Sequence, residues 1–497
     1  MHLVKGDDQI NSTSVYGGAM ARQEIPRYEL NEEELDPRVA KRFIADELQL
    51  DGIPALNLAS FVTTYQEPEA EELMRDNLNK NFIDVEEYPS LGEIESRCVN
   101  IVAKLFNAPL SGHENALGVS TVGSSEAIIL AVLAAKRRWQ KMRREQGKST
   151  EKPNLVMNAA VQVCWEKAAR YLEVEERYWY TRPDLYAADP KELVDLVDEN
   201  TILVCAILGT TYTGEYEDVK EINRLLEEKN KKEKLSVHIH VDAASGGFVV
   251  PFVKPDLEWD FRNSLVCSIN TSGHKYGLAY AGVGYLVLRN KSFLPDEIVF
   301  TVSYLGSPQI SFTLNFSKSA VQVIGSYYQM LRLGKQGYRA IMQTLTQTAD
   351  YLAKTVEEFD GGKRFGIISK NAGGGLPLVA WKIKPDSGTK WDEFALARTL
   401  RQKGWIVPAY TMAPHSERLK LMRVVVREDF SRSRCESFIR DLKSAIKDLD
   451  ETPGQVLDHE AKKADKPAEQ KKPTDAHVTH HEKHSLRAKH GKTHAVC

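Results

Sequence analysis

Paired cysteines are missing from this chain of 497 residues: Cys98, Cys164, Cys205, Cys267, Cys435 and Cys497 stand singly, with no CxxC spacing. That argues against a disulfide scaffold, and Cys164, Cys205 and Cys267, set in apolar runs, read as small core residues. A long hydrophobic run is missing too. The longest, AIILAVLAA at 127–135, is too short to cross a bilayer, and the opening MHLVKGDDQINSTSVYGG lacks the apolar stretch of a secretory signal. Nor does one sign of charge dominate: the formal net charge is -3, which points away from nucleic acid and from membrane surfaces. With 42% apolar and 27% charged residues, the chain is expected to be a globular protein of the reducing cytoplasm, and no metal site is expected.

What is present is alternation. Residues 1–30 are polar and read as an arm, and PRVAKRFIADELQL follows as an amphipathic helix opened by Pro37. From about residue 100 to 290, β-rich runs (NLVMNAAV, TILVCAIL, SVHIHV, LVCSI, GVGYLVLR) alternate with helical patterns such as EDVKEINRLLEEKNKK. That order implies an α/β domain around a mostly parallel sheet. A long helical stretch beginning FSKSAVQVIGSYYQM leads to a second strand–helix alternation that ends near residue 450. The expected division is an N-terminal arm and helix (1–57), a large domain (58–346), a small α+β domain (347–450) and a Lys/His-rich tail (451–497). The tail has almost no aliphatics and cannot bury enough apolar surface to fold, so disorder is expected there.

Chemistry gathers at three places. In SINTSGHKYG, Lys275 follows a Ser-Gly-His turn directly behind a strand. In SVHIHVDAASGG, Asp242 falls at a strand's C-terminal end, where α/β sheets bind ligands, and Ala243 to Gly246 leave room beside it. In GVSTVGSSEAIIL, Ser124 and Ser125 open a long helix, whose N-terminus suits a phosphate dianion. Each has an ordinary alternative: a solvated lysine, a capping aspartate, a serine N-cap. Together they are what a pyridoxal phosphate enzyme needs: a Schiff-base lysine, a carboxylate for the pyridinium nitrogen and a phosphate cradle.

The segments VGSSEA, VQVCWEKAARY, HVDAASGGF and SGHKYGL, in that order, resemble the glutamate decarboxylases, group II members of the fold-type I pyridoxal phosphate enzymes. LNLASFVTTY, NFIDVEEYP, WIVPAYTM and VVVREDFSR look most like the plant branch. The resemblance implies a fold-type I architecture, with a large mostly parallel-sheet domain and a small α+β C-terminal domain. It implies decarboxylation of L-glutamate to 4-aminobutyrate and CO2, with a proton consumed.

It also implies roles. Lys275 would carry pyridoxal 5'-phosphate, Asp242 would pair with its ring nitrogen, and Ser124, Ser125, Ser272 and His274 would hold its phosphate. Gln162 would stack on the ring, with Thr211 and Ala244 lining it. Aromatic decarboxylases and lyases acting on phosphorylated amines are the nearest rivals, and a glutamine at position 162 favours glutamate over them. Arg423 would orient the α-carboxylate. Either Lys275 or Tyr304, in VSYLGS, would return the proton to Cα. Phe316 on the substrate side and Ser317 on the cofactor side would reach a neighbouring subunit's site, which implies a homodimer or a hexamer built from dimers.

Ser60, Phe61 and Asp84 match the positions that meet the distal carboxylate. Two carboxylates meeting there repel unless one holds a proton, so mildly acidic conditions are expected to favour activity. Plant relatives typically end in a basic calmodulin-binding segment with a Trp anchor. Residues 451–497 contain no Trp, Phe or Tyr, which counts against calmodulin as a partner. Their distinctive feature is His477, His480, His481 and His484, at i, i+3, i+4 and i+7, which a helix would align on one face.

Overall fold

The computed structural model describes residues 25–84, 86–112, 114–302 and 309–453. Most of the N-terminal arm, Tyr304 and the histidines of the tail lie outside the described residues. Two units are distinguished, one ending at Asn57 and one beginning at Leu58. The first holds the helix Pro37–Leu48, where Pro37 takes the first turn and the Asp36 side chain accepts from the Arg38 amide at 2.8 Å. Among the described residues, no helix is long and apolar enough to cross a membrane.

The second unit is built on a seven-stranded sheet in the order β1-β7-β6-β5-β4-β2-β3. Its strands are β1 (Gly118–Thr121), β2 (Asn154–Asn158), β3 (Glu175–Trp179), β4 (Thr201–Ile207), β5 (Ile239–Asp242), β6 (Val266–Ser272) and β7 (Gly284–Leu288). From β3 through β6 all neighbours are parallel, whereas β7 runs antiparallel to both β6 and β1. The central strands β2 and β4 are buried along their whole length, as parallel strands covered on both faces must be. Helices Ser124–Glu145 and Val163–Tyr171 pack together on one side, with Ile128, Val132 and Trp165 set against Leu155, Met157 and Cys205.

A short ribbon pairs β8 (Phe300–Val302) with β9 (Gln309–Ser311). The helix Val321–Glu357 follows, broken at Gly334, whose φ of 55° is open to glycine at no steric cost. The last layer is an antiparallel sheet, β10-β11-β13-β12, from β10 (Phe365–Ile367), β11 (Leu378–Ile383), β12 (Ala409–Thr411) and β13 (Lys420–Val425). Helices Glu393–Gln402 and Arg432–Glu451 accompany it. In WIVPAYTM the strand starts only after Pro408, which has no N–H to give a ladder.

Register decides where the site falls. Ile207 pairs with Asp242 and Asp242 with Asn270, so the ends of β4 and β5 stand level and β6 runs two residues further, to Ser272. The turn bearing His274 and Lys275 joins β6 to β7 and is closed at its base by the pair Ser272–Gly284. Gly284 also pairs with Thr121 of β1. A Cβ there would lie 2.8 Å from the carbonyl carbon of Gly123 and 3.0 Å from the Ser124 nitrogen, so only glycine lets the two turns approach.

Candidate active site

The approach of those turns builds a cradle. Gly123, with φ 153°, precedes the helix Ser124–Glu145, and a Cβ on it would meet His274 Cε1 at 3.0 Å. Neither serine caps the helix through its side chain. Instead Ser124 Oγ and Ser272 Oγ share a hydrogen bond of 2.7 Å across the two turns. The first-turn amides of a 22-residue helix point the same way. Burial and the neighbouring Lys275 push the His274 pKa down to about 4, so its ring is neutral at ordinary pH. Its Nδ1 accepts from the Val283 amide at 3.3 Å, which leaves the hydrogen on Nε2.

Asp242 ends β5 with three donors on its carboxylate. Trp165 Nε1 donates to Oδ2 at 2.8 Å, while Asn270 Nδ2 and the Ala244 amide each donate to Oδ1 at 3.1 Å. Lys275 Nζ donates to Ser245 Oγ at 3.3 Å. Burial pulls the Lys275 pKa below its ordinary value, against the opposing pull of Asp242. Gln162 caps the helix Val163–Tyr171 by accepting from the Cys164 amide at 2.7 Å, which fixes the plane of its amide.

These groups surround one cavity of about 260 Å³. Ser124, Ser125, Gln162, Thr211, Asp242, Ala244, Ser272, His274 and Lys275 all line it. It suits pyridoxal phosphate: hydroxyls, a neutral imidazole N–H and helix-end amides for the dianion, a carboxylate for the ring nitrogen and an amine for the aldehyde.

Ser60, Phe61 and Arg423 stand just beyond. The Phe61 ring centre lies 5.4 Å from Lys275 Nζ and 4.9 Å from the Arg423 guanidinium carbon. Arg423 donates to the carbonyls of Thr211 and, at 2.8 Å, Ala59. Its buried Nε has no hydrogen-bond partner among the described residues. Asp84, Phe316 and Ser317 are not among the residues lining the cavity. The segments that carry them meet one another: Asn81 Nδ2 donates to Ser317 Oγ at 3.4 Å, and the Phe82 amide to the Lys318 carbonyl at 2.9 Å.

Several residues of the site escape sequence reasoning. Thr63 donates its hydroxyl to the Lys275 carbonyl at 2.8 Å and its amide to the His274 carbonyl at 2.9 Å, pinning the segment with Ser60 and Phe61 to the lysine turn. Trp165 and Asn270 hold Asp242. Trp165 lies three residues after Gln162, in the first turn of the helix that Gln162 caps.

Residues 28–384 match the Pyridoxal-dependent decarboxylase conserved domain. The chain is 52% identical over 452 residues to a glutamate decarboxylase of Petunia hybrida, covering 91% of this chain and 89% of the other. It is 50% identical over 456 residues to glutamate decarboxylase 1 of Arabidopsis thaliana, with 92% and 89% covered. A solved glutamate decarboxylase of Lactobacillus brevis superposes with a TM-score of 0.84 at 44% identity, covering 88% of this chain and 98% of that one. The chain belongs to the pyridoxal-dependent decarboxylases and, within them, to the plant-type glutamate decarboxylases.

Proposed function

We propose the following division of labour for the pyridoxal phosphate-dependent decarboxylation of L-glutamate to 4-aminobutyrate and CO2, the reaction that goes with membership of this group. When bound, the cofactor supplies an aldehyde that engages an amine and a protonated ring that takes up the electron pair left as CO2 departs. Ser124, Ser125, Ser272 and His274 hold its phosphate. Asp242 keeps a proton on the ring nitrogen by charge pairing, Gln162 covers the ring face, and Thr211 and Ala244 bound its edges. Lys275 would attach the cofactor, and its lowered pKa makes its free amine more accessible. We assign the return of a proton to Cα to Lys275, the amine within the cavity.

Arg423 binds the α-carboxylate, for which the supporting observation is a buried Nε with no hydrogen-bond partner among the described residues. Ser60 and Phe61 turn the distal carboxylate toward its binding position. Asp84, Phe316 and Ser317 serve the site of a neighbouring subunit in a homodimer or a hexamer of dimers, which agrees with the exposure of Leu314 and Phe316 in the single chain. The division into a cofactor domain (58–346) and a small domain (347–450) belongs to the same reading. A cytoplasmic location goes with five described cysteines that are all free thiols. Residues 451–497 offer no aromatic anchor for a groove, which counts against calmodulin as a partner.

The observation that carries the reading is the convergence of Asp242, Lys275 and the serine cradle on one cavity. A substrate panel tests it. Glutamate should release CO2 and give 4-aminobutyrate, and glutamine, aspartate and tryptophan should react far more slowly. Equal rates on glutamine would mean that the site does not read the distal charge.

A further inference from the structure

His240 lies two residues before Asp242 on β5, so the two side chains share a face of the sheet. It is fully buried and has no part in the roles assigned above. Its Nδ1 is 2.7 Å from Ser268 Oγ and its Nε2 is 2.7 Å from Asn270 Oδ1. Register explains the arrangement, because His240 pairs with Ser268 and Asp242 with Asn270. Trp165 closes the group, edge-on to His240 at 5.4 Å between ring centres while its indole nitrogen reaches Asp242.

The donors and acceptors can be ordered from one end. A carboxylate only accepts, so Asn270 must turn Nδ2 toward Asp242, at 3.1 Å. That leaves the amide oxygen of Asn270 for His240, and an amide oxygen also only accepts. His240 therefore carries its hydrogen on Nε2, and Nδ1 accepts the hydrogen bond that the Ser268 hydroxyl donates. Burial pushes the His240 pKa below its ordinary value, which keeps a second proton off the ring. If Asn270 were reversed, its oxygen would face the carboxylate and its NH2 would face an N–H. The carboxylate end would then be mismatched, and His240 would have to move its hydrogen to Nδ1 to meet the NH2.

We propose that His240 is a positioning residue for the decarboxylation: by donating to the oxygen of the Asn270 amide, it anchors that amide with Nδ2 held against the carboxylate that partners the cofactor's ring nitrogen. This rests on the assignment of Asp242 to that nitrogen.

Nitrogen-15 NMR of the histidine-labelled holoenzyme reads the tautomer directly. One signal set, lost in His240→Leu or His240→Gln, should show a protonated Nε2 and a bare Nδ1 throughout the range in which exposed histidines titrate. A hydrogen on Nδ1, or a doubly protonated ring, overturns the inference, and this reading stands even if the leucine variant does not fold. His240→Leu removes the donor; kcat on glutamate should fall about tenfold with KM moving less than about twofold, and the cofactor's visible absorption should shift. His240→Gln, which can still offer an N–H to Asn270, should recover most of both. Wild-type kcat and absorption in His240→Leu, beside an impaired Asp242→Asn, overturn the inference and leave the assignment of Asp242 standing. If Asp242→Asn is unimpaired as well, the assignment itself falls and the inference with it.

Discussion

Arg427 donates from Nη1 to the carbonyl oxygen of Ser60 at 2.9 Å. The arginine is buried and also faces Asp429 at 3.5 Å. Beside it, Glu428 accepts from the Thr64 amide at 2.9 Å and Asp429 from the Thr64 hydroxyl at 2.7 Å. The segment carrying Ser60 and Phe61 is thus tied to the Arg427–Asp429 turn on one side and, through Thr63, to the lysine turn on the other. Arg427→Leu should cost about 2 kcal/mol of stability, since a buried carbonyl and a carboxylate lose a charged donor. It should also raise KM for glutamate more than it lowers kcat. Urea unfolding and initial rates check both, and an unchanged KM would show that the tie does not set the position of Ser60 and Phe61.

Asp242→Asn should keep part of the cofactor and lose most of the rate, because a neutral amide cannot hold the ring proton by charge. A rate within about threefold of wild type, or about 0.6 kcal/mol, would mean that another group does this work. Steady-state kinetics at saturating cofactor decide it.

Glu217 gives the fold a pH dependence of its own. Its carboxyl accepts from the Ile207 amide at 2.7 Å, Asn158 Nδ2 at 2.9 Å and the Ala188 amide at 3.3 Å, tying together the ends of β2 and β4. Burial outweighs those donors and pushes its pKa from 4.5 to about 7. Between these values the folded chain holds a proton that the unfolded chain has released. The stability this group contributes is therefore complete below the lower value and lost as the pH rises through the upper one. From about pH 5 to about pH 8 that loss is between about 2 and 3 kcal/mol. Glu217→Gln, which does not titrate, should lack this component in urea unfolding at the two pH values. The same decline in both proteins would assign it to other groups.

Much of the frame was legible because the central strands are continuous apolar runs between turn signals, as in TILVCAIL. The edges were harder. EERYW of β3 carries charged and aromatic residues on a partly exposed edge, and GVST of β1 is four residues long and opens on glycine, so neither shows a strand pattern. The antiparallel sense of β7 has no local signature either, since a strand's direction depends on how the chain returns to it. The cavity residues were legible through motifs that stay contiguous: a lysine turn, a strand-end aspartate and a serine-led helix. Their supports were not. Asn270 meets Asp242, and Ser268 meets His240, only through the register of β5 with β6. Arg427 meets Ser60 across a separation of 367 residues. Such pairings are made by tertiary structure, and neighbouring residues do not encode them.

The central claim is that Lys275 bears the cofactor and that its amine is indispensable to turnover. Borohydride reduction of the holoenzyme followed by peptide mass mapping tests it most directly, with Lys275→Ala treated in parallel and checked for fold by circular dichroism. The account predicts a reduced cofactor adduct on the peptide containing Lys275, and a folded Lys275→Ala protein with no adduct and no 4-aminobutyrate formed from glutamate. An adduct on another lysine, or wild-type turnover in Lys275→Ala, would contradict it.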